Sequence, residues 1–281
     1  MCGIAFVINY GDKPMPLDCI EYIFKNMEAR GDDASGIYYE RTTKDSACSR
    51  VFKGPFTATD LWNNVQEDVE KLGVPVEYKK RWQMTGQERL IMMHTRSATK
   101  GTIANNYNNM PIFGRKWVLI HNGMVNGPRL KDYKYKGEVD SEDLLAHLET
   151  TNDIQKSIGA MTGSMAICAR PLLEDHLFLY RNSNPLSLII AEKSRILFGC
   201  SKPEYVIDEE MIELLDDDPF AGGKTTIDIT PNVVYKVGLN APTIEALSVQ
   251  RPISGDWKQI KETETWDYTH PWSRQYDGME D

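Results

Sequence analysis

The chain has 281 residues, 41% of them hydrophobic and 26% charged, with a formal net charge of −9 at pH 7. This is ordinary globular composition, long enough for one large domain, and its acidity argues against sequence-independent binding to nucleic acid. No window approaches the roughly eighteen consecutive apolar residues of a membrane span, so no membrane partner is expected, and no basic stretch precedes the first apolar run as in a secretory signal.

The chain opens MCGIAFVINYG. Ile4–Ile8 is an apolar run of strand length, closed by the turn-prone Asn9-Tyr10-Gly11-Asp12. Asp18, a capping residue type, precedes Ile20, Ile23, Phe24 and Met27 at helical spacing, which predicts a helix ending before Arg30-Gly31-Asp32-Asp33. Gly36–Tyr39 reads as a second strand. Residues 57–72 read as an amphipathic helix with Leu61, Val65, Val69 and Leu72 on one face. Leu90–Met93 and Trp117–Ile120 are strand-length apolar runs, and Ser141–Leu148 starts a helix behind a cap at Asp140 or Ser141. Beyond residue 160 short strands repeat (SMAICA, HLFLYR, LSLIIAE, RILFGC), followed by a short helix at Glu209–Leu215 and the strand NVVYKV at 232–237. Residues 251–281, with Trp257, Trp266, Tyr268 and Trp272 among charges, show no usable period and read as a mobile tail or a partner-docking arm. The sum is a single layered α+β domain.

The five cysteines (Cys2, Cys19, Cys48, Cys168, Cys200) are odd in number and widely spaced. They suit a reduced, cytoplasmic protein better than a disulfide framework. The five histidines form no ligand-spaced cluster, so neither a metal nor another cofactor is expected. The stretch GGKTT (222–226) lacks the upstream spacing of a phosphate-binding loop.

Four separated stretches put unusual polar groups beside apolar strands. They are Met1-Cys2-Gly3, MMHTRSATKG (92–101), VLIHNGMVNG (118–127) and EVDSED (138–143). Each has a plain structural explanation. Cys2 could be a small residue leading into a strand, and Arg96 a surface or salt-bridged residue beyond one. Asn122-Gly123 would serve as a hairpin turn, and Asp140 as a helix cap. Together they fit one chemistry. A Cys2 freed of Met1 would carry a thiol and an α-amine on one residue, a nucleophile beside its own base. An Asn amide and a Gly backbone N–H can form an oxyanion hole, Gly allowing close approach. An Arg recognises a substrate carboxylate and an Asp its ammonium. Cys2, Arg96, Asn122, Gly123 and Asp140 are a complete set for glutamine.

The blocks MCGIAFV, RGDDASGI (30–37), HTRSATKG (94–101), HNG (121–123) and VDSEDLLAHL (139–148) resemble, in order, the glutaminase domain of class II glutamine amidotransferases, a group of N-terminal nucleophile hydrolases. Glucosamine-6-phosphate synthase and amidophosphoribosyltransferase carry similar blocks. The later GSMAICAR, HLFLYRNSNPLSLII and ILFGCSKPEYVI resemble the rest of that fold, so the likeness covers roughly residues 2–240.

The resemblance implies a four-layer αββα sandwich of two packed antiparallel sheets over residues 2–250. Cys2 would be the nucleophile, its α-amine the base, and Asn122 and Gly123 the oxyanion hole. Arg96, helped by Thr99, would bind the substrate carboxylate and Asp140 the ammonium, with Arg30 supporting the nucleophile. Three positions depart from the family pattern: Ser97 stands where Trp or Tyr is common, Gly127 where an Asn often follows, and Met110 in place of a histidine. The residues after the fold are too few for an acceptor module. The expectation is therefore a stand-alone glutaminase subunit that passes ammonia to a separate synthase chain. A γ-glutamyl amide hydrolase acting on a larger substrate and a non-catalytic binding module are the alternatives.

Overall fold

The computed structural model describes residues 2–42, 47–66, 88–206 and 223–248. Two antiparallel sheets pack face to face, with helices on their outer faces. The first sheet has seven strands in the order β11-β9-β10-β1-β4-β2-β3. These are β1 (Gly3–Asn9), β2 (Ala34–Thr42), β3 (Ala47–Gly54), β4 (Leu90–Arg96), β9 (Ser187–Ala191), β10 (Ile196–Cys200) and β11 (Lys224–Asp228). The second has six, in the order β13-β12-β8-β7-β6-β5. These are β5 (Ile112–Phe113), β6 (Trp117–Asn126), β7 (Thr162–Pro171), β8 (His176–Arg181), β12 (Val233–Gly238) and β13 (Ile244–Ser248). Helices α1 (Leu17–Asn26) and α2 (Ala58–Gln66) flank the first sheet; α3 (Ser141–Thr151) and α4 (Ile154–Gly159) flank the second.

The alternation of a strand divides its side chains between two cores. Ile4, Phe6 and Ile8 of β1, with Leu90 and Met92 of β4, meet Val118, Ile120, Ala166, Cys168 and Leu179 from the facing sheet. Ala5, Val7, Ile91 and Met93 point the other way, onto Ile20, Ile23 and Phe24 of α1 and Leu61 and Trp62 of α2. Where both faces of a central strand are covered by apolar layers, as over Ile4–Ile8 and Leu90–Met93, every position is therefore apolar, which is why these stretches read in sequence as unbroken runs. Full burial of each such aliphatic side chain contributes roughly 1.5–3 kcal/mol.

Several expected elements are present but longer than their apolar runs. β4 extends beyond the apolar run Leu90–Met93 through His94, Thr95 and Arg96, and β6 continues beyond Trp117–Ile120 through His121, Asn122 and Gly123 to Asn126. Backbone pairing holds these polar residues: His94 lies opposite Ile4 and Gly36, and Asn122 opposite Ala166. α1 starts at Leu17 with Pro16 at its cap position, so Asp18 is a first-turn acid rather than the cap. There its charge still complements the helix N-terminus. Strands β3, β5, β11 and β13 and helix α4 were not anticipated. Beyond Gln66, the expected helix over 57–72 lies outside the described residues, as do Glu209–Leu215 and the 251–281 tail.

At the end of the sandwich away from β1's first residue, a buried ion cluster joins the sheets. Glu40 of β2 accepts from Arg170 Nε and Nη2 of β7, both at 3.0 Å, from Arg89 Nη2 at 2.9 Å and from the Tyr38 hydroxyl at 2.9 Å. Burial pushes the Glu40 carboxyl up, but Arg170 and then Arg89 outweigh it and hold it below its ordinary value.

Candidate active site

Strand register gathers the site. In the first sheet Gly3 pairs with Thr95, and Ala34 pairs with Arg96, so Cys2, Arg96 and the Arg30–Asp33 turn share one end of three adjacent strands. The Arg30 Nε donates to the Cys2 carbonyl at 2.8 Å. Gly31 crosses directly over the chain at Arg96–Ser97: a Cβ on it would lie 2.4 Å from the Arg96 carbonyl carbon and from the Ser97 nitrogen. Asp33 closes the turn, its N–H donating to the Arg96 carbonyl at 3.1 Å and its carboxylate accepting from the Ala98 N–H at 2.7 Å.

The Cys2 thiol is partly buried, with the Ser97 carbonyl 3.7 Å from its sulfur. Burial raises its pKa above the ordinary value, while Arg96 and Arg30 act in the opposite direction. Left to itself this thiol is mostly protonated at neutral pH, so a nucleophilic role requires a base beside it.

Arg96 is 5% exposed. Its guanidinium donates to Asn109 Oδ1 at 2.8 Å, to the Gly101 carbonyl at 3.0 Å and to the Lys100 carbonyl. Burial lowers its pKa, opposed by the negative potential of Cys2, Asp33 and Asp140. The plain explanation of Arg96 as a surface residue does not hold.

The second sheet contributes Asn122 and Gly123 from the interior of β6, not from a hairpin turn. The Asn122 carbonyl accepts from Asn184 Nδ2 at 2.7 Å, but its own Nδ2 is buried without a hydrogen-bond partner among the described residues. An unpaired buried donor costs about 1–3 kcal/mol and is expected where a ligand completes the set. Gly123 has φ +136°, and a Cβ there would lie 2.0 Å from the Ser164 carbonyl oxygen. Only glycine fits this backbone.

Asp140 caps α3, one carboxylate oxygen accepting from Ser141 N–H at 3.0 Å and the other from Val125 N–H at 2.7 Å. It is both a cap and the strut between α3 and the end of β6. Beneath it the ring of His121 bonds through Nδ1 to Ser141 Oγ at 2.8 Å. His94 Nε2 lies 3.2 Å from the His121 carbonyl and links the two sheets directly under the site.

The structure thus brings Cys2, Arg30, Arg96, Asp140 and the β6 pair to one end of the sandwich. Thr99 lies exposed on the loop after β4, outside this bonded framework. Residues missed from sequence are Asp33, Asn109 and Asn184. Asp33 stood inside the RGDDASGI block, but a short acid beside a turn carries no sign of which amide it will bind. Asn109 stood in the Asn-rich run 105–109 and Asn184 in a turn, both compositions typical of loops.

The two sheets and their flanking helices form a four-layer αββα sandwich, a fold shared with two solved structures. A glutamine phosphoribosylpyrophosphate (PRPP) amidotransferase from B. subtilis, complexed with ADP and GMP, superposes with a TM-score of 0.60 at 15% identity, covering 90% of this chain and 50% of that one. A structure described as the allosteric regulatory enzyme of purine biosynthesis gives 0.61 at 17% identity, covering 89% of this chain and 50% of that one. The chain therefore spans about half the length of each. No protein-family profile matches the sequence, and no curated protein does. Among the described residues no helix is long and apolar enough to cross a membrane.

Proposed function

We propose that this chain hydrolyses the carboxamide of glutamine to glutamate and ammonia, with Cys2 as nucleophile once Met1 has been removed. The observation that carries the reading is the buried Asn122 Nδ2, which has no hydrogen-bond partner among the described residues, on a strand tied through His121 and His94 to the β1–β4 pair that bears Cys2 and Arg96. The fold shared with a glutamine PRPP amidotransferase supports it.

In this mechanism the Cys2 α-amine takes the thiol proton as sulfur bonds to the amide carbon. The carbonyl electron pair moves onto oxygen, which Asn122 Nδ2 and the Gly123 N–H stabilise. Collapse of the tetrahedral species breaks the C–N bond; the α-ammonium returns its proton to the leaving nitrogen, and ammonia departs. Water, deprotonated by the same amine, then attacks the thioester, releasing glutamate and restoring the thiol. Arg96 holds the α-carboxylate and Asp140 the α-ammonium, with Thr99 on the covering loop and Arg30 fixing the Cys2 carbonyl. Residues 2–250 act as the glutaminase domain. Ammonia passes to a separate synthase chain, for which residues 251–281 are a contact candidate.

The test is release of ammonia and glutamate from glutamine by purified protein whose N-terminus is read by mass spectrometry. Release that requires Cys2 at the N-terminus supports the reading. Hydrolysis of a larger γ-glutamyl amide but not of glutamine by correctly processed protein would shift the reading to a γ-glutamyl amide hydrolase.

A further inference from the structure

The Arg96 guanidinium is not free to choose its direction. Two of its acceptors, the Lys100 and Gly101 carbonyls, belong to the loop that Arg96 itself begins. The third is Asn109, a residue 0% exposed, whose amide is used at both ends. Oδ1 accepts from Arg96 Nη1 at 2.8 Å; Nδ2 donates to the Ile103 carbonyl at 2.8 Å and to Asn106 Oδ1 at 3.2 Å. The Asn109 backbone carbonyl in turn accepts from Lys53 Nζ of β3 at 2.6 Å, and Asn106 Nδ2 donates back to the Lys53 carbonyl at 3.1 Å. Burial pushes the Lys53 ammonium down to about 7, as expected of a cation kept for its bonds rather than for hydration. Asn109 therefore joins three separate pieces: the guanidinium, the loop 100–106 and the edge of the first sheet. A guanidinium has five N–H donors, and these bonds use three, which among the described residues leaves two for a ligand.

We infer that Asn109, anchored by Lys53, is the positioning residue that aims the remaining Arg96 donors at the substrate α-carboxylate. The assignment rests on the glutamine reading above. It goes further in stating what sets the carboxylate preference of the site: a neutral amide oxygen on Arg96, which orients the cation without neutralising it. A carboxylate at the same place would hold the guanidinium equally well but compete for its charge.

The experiment compares two diazoketones that alkylate the Cys2 thiol, the glutamine analogue bearing its α-carboxylate and the same compound lacking it. Labelling is followed by intact mass on protein with a processed N-terminus, so no partner chain or turnover is needed. Wild type is expected to label saturably and to prefer the carboxylate-bearing probe. Asn109→Ala should reduce that preference about tenfold, and Asn109→Asp more, with the rate for the truncated probe little changed. Lys53→Met, which leaves the Arg96–Asn109 bond in place, should give a smaller reduction in the same sense. Thermal melts verify folding, and the isosteric Asn109→Asp carries the test if Asn109→Ala does not fold. If the folded variants slow both probes equally, or keep the wild-type preference, the positioning role is overturned while the glutamine reading stands. If wild type shows no saturable labelling and no preference, the glutamine reading falls and this assignment with it.

Discussion

His94 Nε2 lies 3.2 Å from the backbone carbonyl of His121, and this single bond crosses between the two sheets beneath the site. A carbonyl accepts only, so Nε2 carries the hydrogen, and burial, which disfavours the charged ring, keeps it the neutral Nε2–H tautomer. The strand holding Arg96 is thereby fixed to the strand holding Asn122 and Gly123, and the distance across the site is set by buried backbone and imidazole rather than by loops.

That arrangement predicts an acid-sensitive fold. Burial drives the His94 pKa down to about 3, and His121 is lowered as well, again by burial, against a smaller opposing pull from Asp140. Both groups have folded values below their unfolded ones. Their contribution to stability is complete above the unfolded histidine value of about 6.5 and is lost as pH falls, for His94 progressively down to about 3. Each group adds a slope of about 1.4 kcal/mol per pH unit across its window. Urea titrations at several pH values should show stability falling from pH 6.5 downward, and His94→Gln should flatten that dependence.

Gly123→Ala should damage activity far more than a methyl group suggests. Its φ of +136° and the 2.0 Å approach to the Ser164 carbonyl force β6 away from β7 where the oxyanion donors must sit. A loss of about a hundredfold or more in kcat is expected, the scale of removing one oxyanion donor. Steady-state kinetics alongside a thermal melt checks this, since the fold should survive with a lowered midpoint.

Arg96→Lys and Asp140→Asn should raise the KM for glutamine by about tenfold or more while lowering kcat less, because both are assigned to parts of the substrate remote from the reacting carbon. Asp140→Asn also weakens the cap of α3 and its bond to Val125, so a loss of about 1 kcal/mol in stability accompanies it. The two effects separate in a comparison of KM with the urea midpoint.

Glu40→Ala, at the opposite end of the sandwich, should be costly for stability alone. It leaves Arg170, which is 3% exposed in its side chain, without its buried counter-charge. Removing one partner from such a pair costs about 3–5 kcal/mol. Chemical denaturation should register that loss, whereas kcat and KM of the folded fraction should remain at wild-type values.

The sequence made the central strands and the polar blocks legible because both depend on local residue type. Unbroken apolar runs such as Ile4–Ile8 and Leu90–Met93 signal strands covered on two faces, and they became β1 and β4. The ends of strands were not legible in the same way. Apart from Thr95, His94–Arg96 and His121–Gly123 carry little strand propensity of their own; pairing with Ile4, Gly36, Ala166 and Met165 extends the strands through them. The Asn122-Gly123 pair shows the limit most directly, since the same dipeptide that favours a hairpin turn lies in mid-strand here. Asn109 was illegible for another reason: its role depends on which guanidinium and which lysine the fold brings to it, a property of long-range contacts rather than of the run NNYNN. The edge strands β11 and β13 are short and amphipathic, and their signal was too weak to separate from loop.

The most direct test of the account is an intact-mass measurement on processed protein quenched in acid within the first turnovers on glutamine. The account predicts a transient species heavier than the free chain by one γ-glutamyl group, mapped to Cys2, discharged by hydroxylamine and missing in Cys2→Ala and in protein that retains Met1. Glutamine hydrolysis at full rate by Cys2→Ala, or by protein with Met1 still in place, would contradict it.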